Sequence, residues 1–195
     1  MAATRLGWLW GFLLLAAAPG AVASERPVVI VHVDDRANVP ASDLAGARRE
    51  VGVIFGEAGV AIEWTTGRFP ASIIGPAAAR DGRRHVALLL VNADEVPGEP
   101  SSGCTLGFAA RKPAVAYAFY NRIAELGQIR PIDLRVVLGR VIAHELGHVL
   151  LPPNAHSPHG IMRSNLDLEP VNPDRFTAAQ ARALRSVLDY VAIRE

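Results

Sequence analysis

Two histidines and a glutamate at helical spacing are the residues best suited to chemistry in this sequence. They form the motif His-Glu-Leu-Gly-His over residues 144–148. On a helix, residues four apart lie on one face, so the imidazoles of His144 and His148 can bind one metal ion. Glu145 lies one step round the helix, beside such a metal without binding it. This pattern predicts metal-assisted hydrolysis with Glu145 as the general base.

A third metal ligand is expected nearby, because a catalytic zinc site takes three protein ligands and keeps one position for water. Four of the six histidines fall between residues 144 and 159. Spacing alone leaves three candidates open. His156 directly precedes a Ser-Pro pair, His159 adjoins Gly160 at an expected turn, and Glu169 precedes a proline in a segment without a helical pattern.

Residues 1–23 are predicted to be a secretory signal peptide outside the fold. Arg5 precedes an apolar run over residues 6–18, and Ala-Val-Ala at 21–23 has the small residues of a cleavage site. The run is shorter than the ~20 residues of a membrane span. We therefore expect cleavage after Ala23, a periplasmic or extracellular location, and no membrane span in the mature chain.

Composition narrows the classes of partner. The chain has 195 residues, of which half are apolar and a fifth charged, as in globular proteins. Without Arg5, 19 of the 20 basic residues remain and balance the 19 acidic ones, so nothing favours nucleic acid as a partner. Cys104 is the only cysteine, which rules out an internal disulfide, and we expect it to be buried and inert. No oligomeric state is predicted.

Strand and helix patterns surround the motif. Apolar, β-branched runs predict five strands, over residues 27–33, 60–64, 85–91, 104–109 and 114–120. Apolar residues at three- and four-residue steps predict long helices over 40–58 and 131–150. A capping box of Thr177 and Gln180 begins a last helix that runs to about residue 192.

This order of elements predicts an α/β fold. We expect a twisted, mixed, mainly parallel five-stranded sheet with two long helices and a small C-terminal lobe that ends in a helix. One domain should span residues 24–195, with the sheet and motif helix in 24–150, the lobe in 151–195 and the cleft between them. The strand that ends at Ala109 should lie at an edge, where an extended peptide could add as a further strand.

The arrangement resembles the metzincin clan of zinc peptidases. The shared features are the order of strands and helices before the motif, a histidine soon after it, and Met162 following Gly160. The segment His-Ser-Pro-His-Gly-Ile-Met, residues 156–162, also resembles small exported bacterial metalloprotease-like proteins. The resemblance implies a metzincin-like fold, Zn²⁺ as cofactor, and a methionine turn at Met162 beneath the metal. It implies the ligands His144, His148 and His156.

The sequence departs from the longer clan motif, H-E-x-x-H-x-x-G-x-x-H. Leu151 occupies the glycine position and Asn154 the third histidine position, while His156 lies two residues later. The prolines at 152 and 153 would have to provide the turn. His159 therefore remains an alternative metal ligand.

The predicted function is zinc-dependent hydrolysis of peptide bonds in a peptide or protein substrate. A metal-activated water attacks the peptide bond, and Glu145 takes up its proton. The alternative is a non-catalytic zinc-binding module or an inactive relative of the peptidases. Glu145 argues against this alternative, because a structural metal site needs no base.

Overall fold

The structure is a computed structural model that describes residues 26–67, 79–80, 83–96, 105–166 and 174–192. The predicted signal peptide, Cys104 and Glu169 lie outside these residues. Besides a short 3-10 helix over Ala93–Glu95, the described part of the chain contains six strands and four α-helices. In chain order they are β1 (Val28–Asp35), α1 (Ala41–Glu57), β2 (Ala61–Thr66), β3 (Ala79–Arg80), β4 (Arg83–Val91), β5 (Gly107–Ala110), β6 (Val115–Phe119), α2 (Tyr120–Ile129), α3 (Leu134–Leu150) and α4 (Ala178–Ala192).

The strands form one mixed sheet with the order β2-β1-β4-β6-β5. Strands β1, β2, β4 and β6 are parallel to one another. Strand β5 runs antiparallel to β6 and ends the sheet, at the edge position expected for this segment. The predicted mainly parallel five-stranded α/β sheet is confirmed, and the two-residue β3 adds a short antiparallel pairing with β4.

Helices α1 and α3 cover one face of the sheet. Every second residue of the central strands is buried against them, as expected for a pleated strand with one face on the core. The C-terminal segment joins the same core: the Phe176 ring packs edge-on against Phe55 of α1, with centroids 5.0 Å apart. The core also takes in residues from the chain after α3, namely Leu151, Ile161, Met162, Leu184 and Leu188.

Helix α3 runs through the middle of this core. It begins after Asp133, whose side chain accepts a hydrogen bond from the Arg135 backbone nitrogen at 3.0 Å. From Val137 to Leu150 nearly every residue is buried. A helix that is apolar on all sides belongs in a protein interior, and this burial makes α3 a rigid support for the motif.

Helix α2 is an addition to the helices that the sequence pattern predicts. The pattern gives a strand up to residue 120 and no helix directly after it. In the structure β6 passes straight into α2, and Phe119 at the junction makes no side-chain capping bond. The sequence therefore lacks the polar cap that usually indicates a helix start. Within the described residues, no helix combines the length and apolar character needed to cross a membrane.

His32 lies on the sheet face opposite α3, because it alternates with the buried residues Val31 and Val33. Its Nε2 is 2.9 Å from His85 Nδ1, and its Nδ1 is 2.6 Å from the Thr65 hydroxyl. Burial, and then the neighbouring His85, lower the pKa of His32. These contacts join the three neighbouring strands β2, β1 and β4.

Candidate active site

His144, His148 and His156 come together at the C-terminal end of α3. Each offers a ring nitrogen, and the three nitrogens lie within 4.8 Å of one another. The closest pair, His144 Nε2 and His148 Nε2, is 3.0 Å apart. This group is able to bind a metal ion.

The backbone of the following loop orients His144. Its Nδ1 lies 2.7 Å from the Ile161 carbonyl oxygen. A carbonyl can only accept, so Nδ1 carries the proton and donates it, which leaves the Nε2 lone pair facing the other two histidines. Histidines that bind metals are commonly held by such a bond from their other ring nitrogen.

The loop after α3 brings His156 to the other two histidines without the glycine turn of the longer clan motif. Leu151 leaves the helix in an extended conformation (φ −79°, ψ 160°). The left-handed conformation falls instead on Asn154, with φ 60°. Asparagine is one of the few non-glycine residues that adopt it readily. The chain thus reverses two residues before His156.

Gln180 of α4 holds the loop on both sides of His156. Its Nε2 donates to the Ala155 carbonyl oxygen and to the Ser157 hydroxyl, each at 3.0 Å. Its Oε1 accepts from the Thr177 backbone nitrogen at 2.9 Å, which completes the predicted capping box. One side chain therefore caps α4 and anchors the segment that carries the third histidine.

Met162 lies buried beneath the motif helix. Its sulfur packs against Gly147, where a Cβ would collide with it. The residue belongs to a tight turn in which the Arg163 nitrogen donates to the Gly160 carbonyl at 3.1 Å, and Gly160 has a φ of 77°. This turn also presents the Ile161 carbonyl to His144, so packing and hydrogen bonding both fix the base of the site.

Glu145 is buried beside the histidines, with 6% of its surface exposed. Gly107 of the edge strand faces it: a Cβ there would lie 2.9 Å from Glu145 Cγ and 3.1 Å from Oε1. No described residue forms a hydrogen bond with its carboxylate. Burial raises the pKa of Glu145 to about 8.

Burial also favours the neutral form of two histidines. It lowers the pKa of His148 to about 4, with further contributions from His144, His156 and Arg111. Burial lowers the pKa of His144 as well, partly opposed by the Ile161 carbonyl. Neutral imidazole is the form that binds metals, so these two side chains are ready to ligate without losing a proton first.

The three histidines lie in a cleft of about 1160 Å³. Its walls come from β5, one face of α2, the segment 152–156 after α3, and the segment 164–166 beyond the methionine turn. The expected cleft between the sheet and the C-terminal segment is therefore present. Helix α2 supplies a wall that the sequence did not indicate.

The other candidate ligands are placed differently. His159 is exposed, as His156 is, but it does not belong to the histidine group among the described residues. Its carbonyl oxygen accepts from the Ser157 hydroxyl at 2.7 Å. Glu169 lies outside the described residues. The sequence did not indicate that Gly107 lies against Glu145. The capping box indicated that Gln180 caps α4, but not that its side chain also forms hydrogen bonds with the loop that carries His156.

The fold is similar to that of solved metallopeptidases. A zinc-dependent peptidase from Methanocorpusculum labreanum matches with a TM-score of 0.51 and 18% identity over 82% of this chain and 99% of that one. The two proteins share a fold. Archaemetzincin from Methanopyrus kandleri matches with a TM-score of 0.46 and 17% identity over 86% and 98% of the two chains. Metalloproteinase-II from Bacteroides fragilis matches with a TM-score of 0.46 and 12% identity over 87% of this chain and 55% of that one. No protein-family model and no curated sequence matches the chain.

Proposed function

We propose that this protein is an exported zinc-dependent peptidase of the metzincin kind, with Glu145 as its general base. The observation that carries the proposal is the convergence of His144, His148 and His156 beside a buried glutamate at the floor of a cleft. The fold shared with the peptidase from Methanocorpusculum labreanum supports it.

The donor set fits zinc. Three imidazole nitrogens are a usual ligand set for a catalytic zinc ion, which keeps a fourth position open. The bond between His144 Nδ1 and the Ile161 carbonyl already sets the ring for ligation. When bound, zinc supplies a Lewis acid that activates water and polarises the scissile carbonyl.

The remaining steps belong to the chain's own residues. Glu145 takes a proton from the attacking water and returns it to the leaving amine. Burial raises the proton affinity of Glu145. The positive charge of a bound zinc ion would lower it again, so that the side chain would be ionised near neutral pH and able to accept the proton. The β5 edge, which lines the cleft from Gly107 to Ala109, offers an extended substrate backbone groups that no described strand pairs.

The alternative is a zinc-binding module without activity. Such a site would need the three histidines but would gain nothing from a glutamate buried beside them, because burying a carboxyl group without a hydrogen-bond partner destabilises the fold. Glu145 is buried and has no hydrogen-bond partner among the described residues, and it lines the cleft. This costly placement favours catalysis.

Cleavage of an unfolded protein tests the proposal. Wild type and Glu145→Gln are loaded with zinc, and their zinc contents are matched before the assay. We expect hydrolysis by the wild type and a loss of about a hundredfold or more in Glu145→Gln, the range for a general base. Equal hydrolysis by both proteins would refute the mechanism. No hydrolysis by either would favour the zinc-binding module.

Export is tested separately, since the signal segment lies outside the described residues. The apolar run and the Ala-Val-Ala site support cleavage after Ala23. N-terminal sequencing of protein recovered from outside the cytoplasm of a bacterial host should begin at Ser24. A chain that stays in the cytoplasm and begins at Met1 would contradict export.

A further inference from the structure

The described residues that line the cleft above the histidines carry an excess of positive charge. Among the described residues that line it, Arg111, Arg122 and Arg130 face only two carboxylates, Glu125 and Glu145. Three neutral imidazoles would leave the charge of a bound zinc ion uncompensated. A site of this kind attracts anionic groups and repels cationic ones.

Arg111 stands at the end of the cleft beside His148. It follows β5 directly, and its Nη2 donates to the Leu151 carbonyl at the end of α3. Its Nη1 is buried and has no hydrogen-bond partner among the described residues, and no described carboxylate forms an ion pair with the guanidinium. The backbone contact fixes the guanidinium in place but leaves its charge unneutralised, so an approaching carboxylate would be stabilised.

Arg130 directly follows the last residue of α2 and belongs to the cleft wall that this helix forms. This wall contains both charged and apolar side chains. It is exposed and lines the cleft without an ion-pair partner among the described residues. Leu126 and Ile129 line the cleft on the same helix. Ile129 is 77% exposed, although a large apolar side chain gains free energy when it is covered. This wall therefore offers an apolar contact next to a cation that no described carboxylate pairs.

We propose that the cleft selects acidic peptides. Arg130 binds a carboxylate side chain of an extended peptide, and Leu126 and Ile129 contact an apolar side chain next to that carboxylate. The charge of Arg111 attracts a second carboxylate of the peptide towards His148. This inference rests on the proposed peptidase function, since it names the substrate class of the same cleft. Charge complementarity identifies the occupant: an unfolded segment with glutamate or aspartate near the scissile bond.

Binding to an inactive variant tests the selection without relying on cleavage. Zinc-loaded Glu145→Gln is titrated into three fluorescein-labelled peptides that differ only at two positions, which hold Glu, Gln or Lys. We expect the Glu peptide to bind about fivefold more tightly than the Gln peptide, as two exposed ion pairs would produce. The Lys peptide should bind most weakly, and added salt should reduce the differences.

Charge reversal on the α2 wall gives the matched comparison. Arg130→Glu, in the same Glu145→Gln background, should lose most of the preference for the Glu peptide. Arg49→Glu is the control, because Arg49 is exposed on α1 and does not line the cleft. Arg111→Gln removes the charge but keeps a polar side chain, and it should also reduce the preference. Equal binding of the Glu and Gln peptides, or equal effects of Arg130→Glu and Arg49→Glu, would overturn the proposal.

Cleavage by the wild type separates this inference from the proposed function. A wild type that cleaves no peptide, combined with a retained Glu preference in Glu145→Gln, refutes hydrolysis and supports the acidic cleft. A wild type that cleaves the Lys peptide as fast as the Glu peptide supports hydrolysis and refutes the acidic preference.

Discussion

Gly107 is the residue of the edge strand that lies directly against Glu145. A Cβ at this position would come within 2.5 Å of the Tyr117 carbonyl oxygen and 2.9 Å of Glu145 Cγ. Both neighbours are confined, one by the β5–β6 pairing and the other by burial. A side chain at Gly107 would therefore displace the edge strand or the carboxylate.

We predict that Gly107→Ala lowers both stability and activity. Overpacking at a closely packed position costs about 1–3 kcal/mol of unfolding free energy, and a displaced Glu145 should lower kcat. Denaturant unfolding and peptide cleavage measure the two effects. Gly52→Ala is the control: Gly52 lies in α1 with nothing within 4 Å of an added Cβ. It should gain about 1 kcal/mol from better helix propensity. Wild-type behaviour of Gly107→Ala would contradict the prediction.

The third histidine shows what residue spacing can and cannot determine. His144 and His148 share a face because α3 is a regular helix, so the sequence was sufficient to pair them. After Leu151 the chain has no period, and the position of His156 depends on the left-handed Asn154 and on hydrogen bonds from Gln180. Spacing alone could not choose between His156 and His159, because the position of His156 depends partly on hydrogen bonds from α4, which is distant in the sequence.

At the scale of elements, α4 supports the metal site although it contributes no ligand. Its capping box was predictable from Thr177 and Gln180, because those contacts are local. Its docking was not, because the Gln180 amide reaches a loop that lies far away in the sequence. Through these hydrogen bonds the start of α4 fixes both neighbours of His156.

We predict that Gln180→Glu weakens zinc binding while largely preserving the helix. A carboxylate at this position still accepts from the Thr177 nitrogen, but it places an acceptor against the Ala155 carbonyl and loses the donor to Ser157. Zinc affinity should fall by about tenfold, the low end for residues that orient a metal ligand. The melting temperature of the metal-free protein should change little.

Gln180→Ala provides the comparison, because it removes the side-chain half of the capping box as well as the loop contacts, while the Thr177 hydroxyl can still accept from the backbone nitrogen of residue 180. Its metal-free melting temperature should fall by the equivalent of about 1 kcal/mol, the usual net contribution of a hydrogen bond. Competition with a chromogenic chelator measures zinc affinity in both variants. Zinc affinity in Gln180→Glu equal to that of the wild type would show that Gln180 does not position His156.

Helix α2 marks the part of the fold that sequence patterns leave out. The sheet strands are apolar runs bounded by turns, and α1, α3 and α4 carry long apolar periods, so these elements could be predicted. Helix α2 is only ten residues long and follows β6 without a cap. Its start is decided by packing, including the placement of Ile123 in the core. The cleft wall it forms was therefore not predictable.

At the scale of the whole molecule, the site is assembled from three separate parts of the chain. Helix α3 supplies two histidines and Glu145, the loop after it supplies His156, and β5 closes over Glu145. All three meet because α3 passes through the core and the C-terminal segment packs into that same core. These contacts between distant parts of the chain build the fold that it shares with a known zinc-dependent peptidase, although the two sequences are only 18% identical.

The zinc content of the purified protein and of two histidine variants tests the central claim most directly. Elemental analysis of the wild type should give about one zinc per chain, as expected for a single three-histidine site. His156→Ala should lose most of this zinc, whereas His159→Ala should keep it, because His159 lies outside the group. A wild type without zinc, or a loss confined to His159→Ala, would contradict the account.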